Sequence, residues 1–213
     1  MIVKKFPFNP FPVNTYVIHD EATKECAIID PGCYWAEEKE ELKDYIEKNN
    51  LKVKHLLLTH LHLDHALAVP FVANTFNVPF SANKKDEFLL ENGVKQAAQY
   101  GLRLEDAPIP VAQPLQEGDR IKLGDTELNV MEVPGHSPGS VVFYNEKEHK
   151  IFVGDVLFLG SIGRTDLPGG NYEQLISGIR SKLLTLPDNT VVYSGHGPET
   201  NIGYERINNP FLR

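Results

Sequence analysis

Hydrophobic positions along this chain come in two rhythms. Short apolar runs at residues 16–19 and 27–29 end in turn formers, Asp20 and the Asp30-Pro31-Gly32 triplet, and read as strands of an N-terminal sheet. Over residues 34–49 the spacing changes. Trp35, Leu42, Tyr45 and Ile46 share one side and acidic residues crowd the other, which predicts an amphipathic surface helix. Residues 53–59, centred on Leu56-Leu57-Leu58, suit a strand covered on both faces. That run leads straight into His60-Leu61-His62-Leu63-Asp64-His65, and a helical segment follows to residue 77, with Pro70 tolerated near its first turns.

Residues 84–100 predict another helix, after which Pro108, Pro110 and Pro114 mark an irregular crossing suited to covering a site. The second half repeats the order: strands over 120–123, 126–133, 141–144 and 151–153, a helix over 172–184 and a strand over 190–193. No linker separates the halves. The pattern therefore predicts one α/β domain spanning residues 1–213, with an echo of element order but no sequence repeat.

Composition narrows the partners. With 41% hydrophobic and 23% charged residues, the chain is an ordinary globular one and large enough to bury a core. Lys and Arg number 21 against 29 Asp and Glu, a net charge of −8 that repels phosphate backbones and anionic membranes, so neither nucleic acid nor a membrane is expected as partner. The first residues contain no continuous apolar segment and no later stretch is long enough to cross a bilayer, which makes a cytoplasmic protein the expectation. Cys26 and Cys33 are too few for a disulfide framework and stand at no zinc-ribbon spacing; they read as reduced structural thiols.

Eight histidines against two cysteines point to nitrogen and oxygen ligands rather than thiolates. In an extended segment alternate side chains leave on the same side, so His60 and His62 can grip one ion. The turn into a helix then re-aims Asp64 and His65 toward a neighbouring position, and two ions are the natural product. Further ligands stand at strand ends, flanked by glycine or proline where the backbone must bend: His136 in Pro134-Gly135-His136-Ser137-Pro138-Gly139, Asp155 after Gly154, and His196 in Ser194-Gly195-His196-Gly197. His19, His55 and His149 lack such context and read as structural or solvated. Asp30 reads as a turn residue that can also hydrogen-bond the metal loop.

These motifs, in this order over nearly the whole chain, resemble the metallo-β-lactamase superfamily and within it the glyoxalase II branch. The resemblance implies a four-layer αβ/βα sandwich with a dinuclear metal site on one edge. Carried over residue by residue, it implies that His60, His62 and His136 hold one divalent ion, Asp64, His65 and His196 a second, and that Asp155 bridges them. Zinc is the first expectation, and the donor set suits iron or manganese as well. The implied activity is hydrolysis of a small thioester such as S-D-lactoylglutathione, or a related ester, with Asp64 orienting the nucleophile. Arg164, in Gly163-Arg164-Thr165-Asp166, matches a position that helps to bind a glutathione-linked substrate, and a salt bridge with Asp166 is its plain alternative. The chain is expected to be a short form without the helical C-terminal domain of longer relatives. Two rival readings stand beside the hydrolase: a mononuclear iron persulfide dioxygenase, which shares the Gly-Arg-Thr-Asp loop, and a non-catalytic metal-binding module.

Overall fold

The structure is a computed structural model that describes residues 1–213. Six strands form a first sheet in sequential order: β1 (Ile2–Phe8), β2 (Val13–His19), β3 (Glu25–Ile29), β4 (Lys52–Leu57), β5 (Phe80–Ala82) and β6 (Gln113–Pro114). The early strands pair antiparallel, and from β3 onward the pairing is parallel, with α1 (Ala36–Lys48) crossing from β3 to β4. The short α2 (Leu63–Ala66) and α3 (Val69–Phe76) cross from β4 to β5. A 3-10 turn at Lys84–Asp86, α4 (Glu87–Glu91) and α5 (Gly93–Gln99) then fill the passage from β5 to β6.

The second sheet is built from β7 (Arg120–Leu123), β8 (Thr126–Glu132), β9 (Val141–Asn145) and β10 (Lys150–Gly154). A small hairpin, β11 (Leu157–Phe158) with β12 (Ser161–Ile162), leads to α6 (Tyr172–Gly178), which runs on through a π-helical turn at Ile179–Leu183. β13 (Val191–Ser194) then lies parallel to β10, β14 (Thr200–Asn201) closes the edge, and α7 (Ile202–Asn208) follows. The order across this sheet is β14-β13-β10-β9-β8-β7.

Alternation along the strands explains why the two sheets stack and why helices cover both outer faces. Val17, Ile28 and Leu56 point to one face of the first sheet, where Leu42 and Ile46 of α1 and Val69 and Val72 of α3 complete a core. Their neighbours Tyr16, Ile18, Ala27, Ile29 and Leu57 point to the other face, against Leu128, Val130, Val141, Phe143 and Phe152 of the second sheet. Val142, Tyr144, Ile151, Val153 and Val192 face outward again, under Leu175, Ile179, Leu183 and Ile202. Helices, sheet, sheet and helices thus make the four layers of an αβ/βα sandwich. Cys26 and Cys33 are free and lie in the first core, where burial pushes both thiols up to about 12.

Two expectations about elements are corrected. The helix expected over 84–100 is broken at Asn92-Gly93, a pair with poor helix propensity, and Gly93 lets the returning chain come close; a Cβ there would meet Pro108 at 3.2 Å. The helical segment up to residue 77 is two helices, since Ala68 leaves helical geometry and Pro70 starts α3. β1 was hidden by its adjacent Lys4 and Lys5 and by Pro7, which suit an edge strand, and α7 by its polar sequence. No helix is long and apolar enough to cross a membrane.

Candidate metal centre

The parallel pairs β3–β4 and β10–β13 end at the same rim of the sandwich, and their carboxyl ends carry the site. β4 leads to His60 and His62, and the latter precedes the first turn of α2, which presents Asp64 and His65. Asp155 directly follows β10, His196 follows β13, and His136 lies in the loop from β8 to β9. Three overlapping groups of donors result, His60-His62-His136, His60-His65-Asp155 and Asp64-His65-His196, each with its ligand atoms within 4.8 Å of one another. All seven sequence-derived residues are thereby brought together, and Asp155 lies between the two triads: its carboxylate is 3.3 Å from His65 Nε2, 3.6 Å from His196 Nε2 and 3.7 Å from His136 Nε2.

The outer nitrogens of the rings decide which atoms face inward. His65 Nδ1–H donates to Asp30 (3.0 Å), His136 Nδ1–H to the Arg164 carbonyl (2.8 Å) and His196 Nδ1–H to the Pro12 carbonyl (3.3 Å). His60 Nδ1–H donates to Thr59 Oγ1 (3.0 Å), whose hydroxyl is itself committed to Asp30 (2.7 Å). These bonds leave Nε2 of four rings as inward lone pairs. His62 is reversed, with Nδ1 facing His136 Nε2 at 2.8 Å, while His136 Nε2 stands 3.2 Å from His60 Nε2. Lone pairs so close repel unless a proton or a cation lies between them. His65 Nε2 and Asp155 Oδ1 are buried without a hydrogen-bond partner. Convergent lone pairs, orphaned buried donors and two carboxylates fit divalent cations, with no thiolate among the ligands.

Without a cation the charge states divide between the two triads. Burial, reinforced by the surrounding imidazoles, holds His60 well below its ordinary range; burial pushes His62 down to about 4 and lowers His136 too. Burial also opposes charge on His65 and His196, but Asp155 and Asp64 outweigh it and raise both. Burial alone would raise the two carboxyls, yet His65 and its neighbouring rings keep Asp64 and Asp155 below the usual carboxylate range. The first triad is neutral and both carboxylates are ionised, whereas His65 and His196 hold protons that a bound cation would displace.

Close packing at the rim depends on two glycines. A Cβ on Gly195 would meet Asp155 Oδ1 at 2.2 Å, and one on Gly154, whose φ is +51°, would meet Thr59 Oγ1 at 2.2 Å. Asp30 accepts from the Thr59 amide (2.8 Å) as well as from its hydroxyl and from His65, so the turn residue also anchors both ends of the His60–His65 ligand segment.

Asp86 was missed from the sequence. It is fully buried and accepts from Ser137 Oγ (2.6 Å), the Gly139 amide (2.6 Å) and the Leu61 amide (3.2 Å), fastening the start of the α4–α5 segment to the loops that carry His60, His62 and His136. Asn14 was missed as well; its Nδ2 donates to the carbonyls of Ser194 (2.9 Å) and Gly197 (3.0 Å), holding the His196 loop on β2. Asp86 lies in a charged stretch that reads as solvated, and Asn14 is a lone polar residue at the start of an apolar strand, with no local mark of its role. Arg164 forms two hydrogen bonds of 2.7 Å with Asp166 and touches the centre through its backbone carbonyl. None of His19, His55 and His149 joins the cluster: His19 ends β2, His55 bonds the Lys122 carbonyl, and His149 occupies a turn at φ +52°. A cavity of about 560 Å³ lies around Cys33, Trp35, Phe71 and Arg103 and contains none of the seven. A smaller one, about 300 Å³, includes His62 and is walled by α4, α5 and the Leu167-Pro168 loop.

The sequence profile of the metallo-beta-lactamase superfamily matches residues 8–196. The chain is 44% identical over 213 residues, covering 100% of itself and 98% of the relative, to hydroxyacylglutathione hydrolase GloC of Haemophilus influenzae. The crystal structure of the BLEG-1 B3 metallo-beta-lactamase is similar with a TM-score of 0.89 and 39% identity, covering 99% of each chain. That of TTHA1623 in a di-iron-bound form is similar with a TM-score of 0.87 and 37% identity, covering 99% of this chain and 100% of the other. This chain belongs to the metallo-β-lactamase superfamily.

Proposed function

We propose that the protein is a metal-dependent hydrolase that cleaves small acyl thioesters of the hydroxyacylglutathione kind. The observation that carries this reading is a seven-donor centre that is partly exposed at Asp64 and His196 and borders a cavity at His62: a purely structural site would be closed. The similarity to the hydroxyacylglutathione hydrolase of Haemophilus influenzae supports the thioester class.

His60, His62 and His136 would hold one cation, Asp64, His65 and His196 another, with Asp155 shared. Zinc is proposed first, and the di-iron form of TTHA1623 makes iron the alternative that metal analysis decides. When bound, such cations supply Lewis acidity, bring water ionisation near neutral pH and offset negative charge on the carbonyl oxygen. Asp64, kept ionised by His65 and His196, accepts a hydrogen bond from the attacking water and aims it. A thiolate leaves without a strong general acid, which matches a site where every inward imidazole is a ligand.

Protein purified without chelator is analysed for metal and assayed on a panel of S-D-lactoylglutathione, simple thioesters and nitrocefin, beside Asp64→Asn. Thioester turnover with two metals per chain, and a kcat lower by at least about a hundredfold in the variant at unchanged circular dichroism, is expected. A single iron with oxygen consumption on a persulfide, nitrocefin turnover above every thioester, or full activity of Asp64→Asn would overturn it.

A further inference from the structure

One wall of the cavity beside His62 is explained neither by metal ligation nor by core packing. Asn92, Lys95, Gln96 and Gln99 recur at the spacing of one helix face, and all four line this cavity, opposite the Leu167-Pro168 loop. Phe88 and Leu89 of α4 supply its apolar part. Polar side chains on a helix that faces solvent are ordinary, but this face looks across a cavity at a metal-ligand histidine.

The wall is also fixed in place. At its start, Asp86 is bonded to the loops of His60, His62 and His136. At its end, the Tyr100 ring meets Phe11 edge-on, 5.3 Å between centroids, beside Pro12, whose carbonyl receives His196. The distance from α5 to the donors is therefore set by contacts at both ends. The cations of the rim differ in availability. Arg164 is spent on two hydrogen bonds with Asp166, whereas Lys95 has no carboxylate in ion-pair reach, including Glu91 one turn before it.

We propose that the inward face of α5 is the substrate-selecting wall, with Lys95 pairing a carboxylate on the substrate arm and Asn92, Gln96 and Gln99 bonding its amide groups. The substrate class is then a carboxylate-bearing, peptide-like thioester. This rests on the hydrolase reading for its chemistry, but recognition by the wall can be measured without turnover. Arg164 contributes its backbone to His136 and its side chain to the loop, and Lys95 is the free charge that reads the ligand.

Two measurements test it on metal-loaded protein. The same acyl group is presented on glutathione, on glutathione diethyl ester and on N-acetylcysteamine, and kcat/KM is compared for wild type, Lys95→Ala, Lys95→Glu and Lys95→Arg. Preference for the free carboxylate is expected to fall about five- to tenfold in Lys95→Ala, through KM, to fall further in Lys95→Glu and to persist in Lys95→Arg. Calorimetric binding of S-hexylglutathione, a thioether that cannot be hydrolysed, is expected to weaken by a similar factor in Lys95→Ala. An unchanged carboxylate preference, an equal loss of kcat on all three substrates, or equal thioether affinity in wild type and Lys95→Ala would overturn the wall. Thioether binding that depends on Lys95, without turnover of any thioester, would overturn the hydrolase reading and leave the wall standing.

Discussion

Asp86 shows how much of the centre is held by a residue that never faces it. Three donors, Ser137 Oγ and the amides of Gly139 and Leu61, converge on its buried carboxylate. Burial raises its pKa although each of those hydrogen bonds pulls the other way. Replacement by alanine strands the donors in a dry space, so Asp86→Ala is expected to lose about 2–4 kcal/mol in urea unfolding and to lower metal occupancy. Stability and metal content both equal to wild type would contradict that role. The ligands themselves were legible because each carries a local mark: alternation after an apolar strand for His60 and His62, the turn into a helix for Asp64 and His65, and flanking glycine or proline for His136, Asp155 and His196. Asp86 has no such mark. It sits in Lys84-Lys85-Asp86-Glu87, which reads as a solvated helix start, and its partners are 51, 53 and 25 residues away. A residue defined by long-range partners is invisible until the chain is folded.

Among the elements, the end of β10 is the least tolerant. Gly154 has φ +51° at a register shift between β10 and β13, and its missing side chain leaves room for the Thr59 hydroxyl. That hydroxyl links Asp30 to His60, so a methyl group at Gly154 would push apart the bond that orients a ligand. Gly154→Ala is expected to cost more than about 2 kcal/mol, combining left-handed strain with the clash, and to weaken metal binding. Wild-type unfolding midpoint and metal affinity would rule this out. The strands were legible because those covered on two faces read as continuous apolar runs. The break between α4 and α5 was passed over because residues 84–100 have helical spacing, although Asn92-Gly93 is itself a local breaker, and Gly93 also lets Pro108 approach closely. Apolar spacing outweighed a weak local breaker in the reading of the very segment that walls the cavity.

On the scale of the molecule, the ligands come from both halves of the sandwich. His60, His62, Asp64 and His65 follow β4 of the first sheet, whereas His136, Asp155 and His196 belong to the second. The apolar runs implied one α/β domain with an echo of element order, the four-layer sandwich came only through family resemblance, and the order of strands within each sheet carries no local signal. Between the sheets, side chains such as Tyr16 and Phe152 already pack, so the fold does not depend on metal for its core. At the rim the situation differs: the His60, His62 and His136 lone pairs face one another and the two carboxylates lie close together, so a proton or a cation must join the donors. Cations bound at about a hundred times their dissociation constant would stabilise the native state by about 2.7 kcal/mol. For a chain of this size that corresponds to a fall in Tm of about 5–10 °C when a chelator strips the site. The loss is expected to be uneven. Amide exchange should quicken in the loops around His60, His136, Asp155 and His196, while α1, on the far side of the first core, keeps its protection against local opening. An unchanged Tm, or faster exchange spread evenly over α1 and the ligand loops, would mean that the donors are not what fastens the two sheets at this edge.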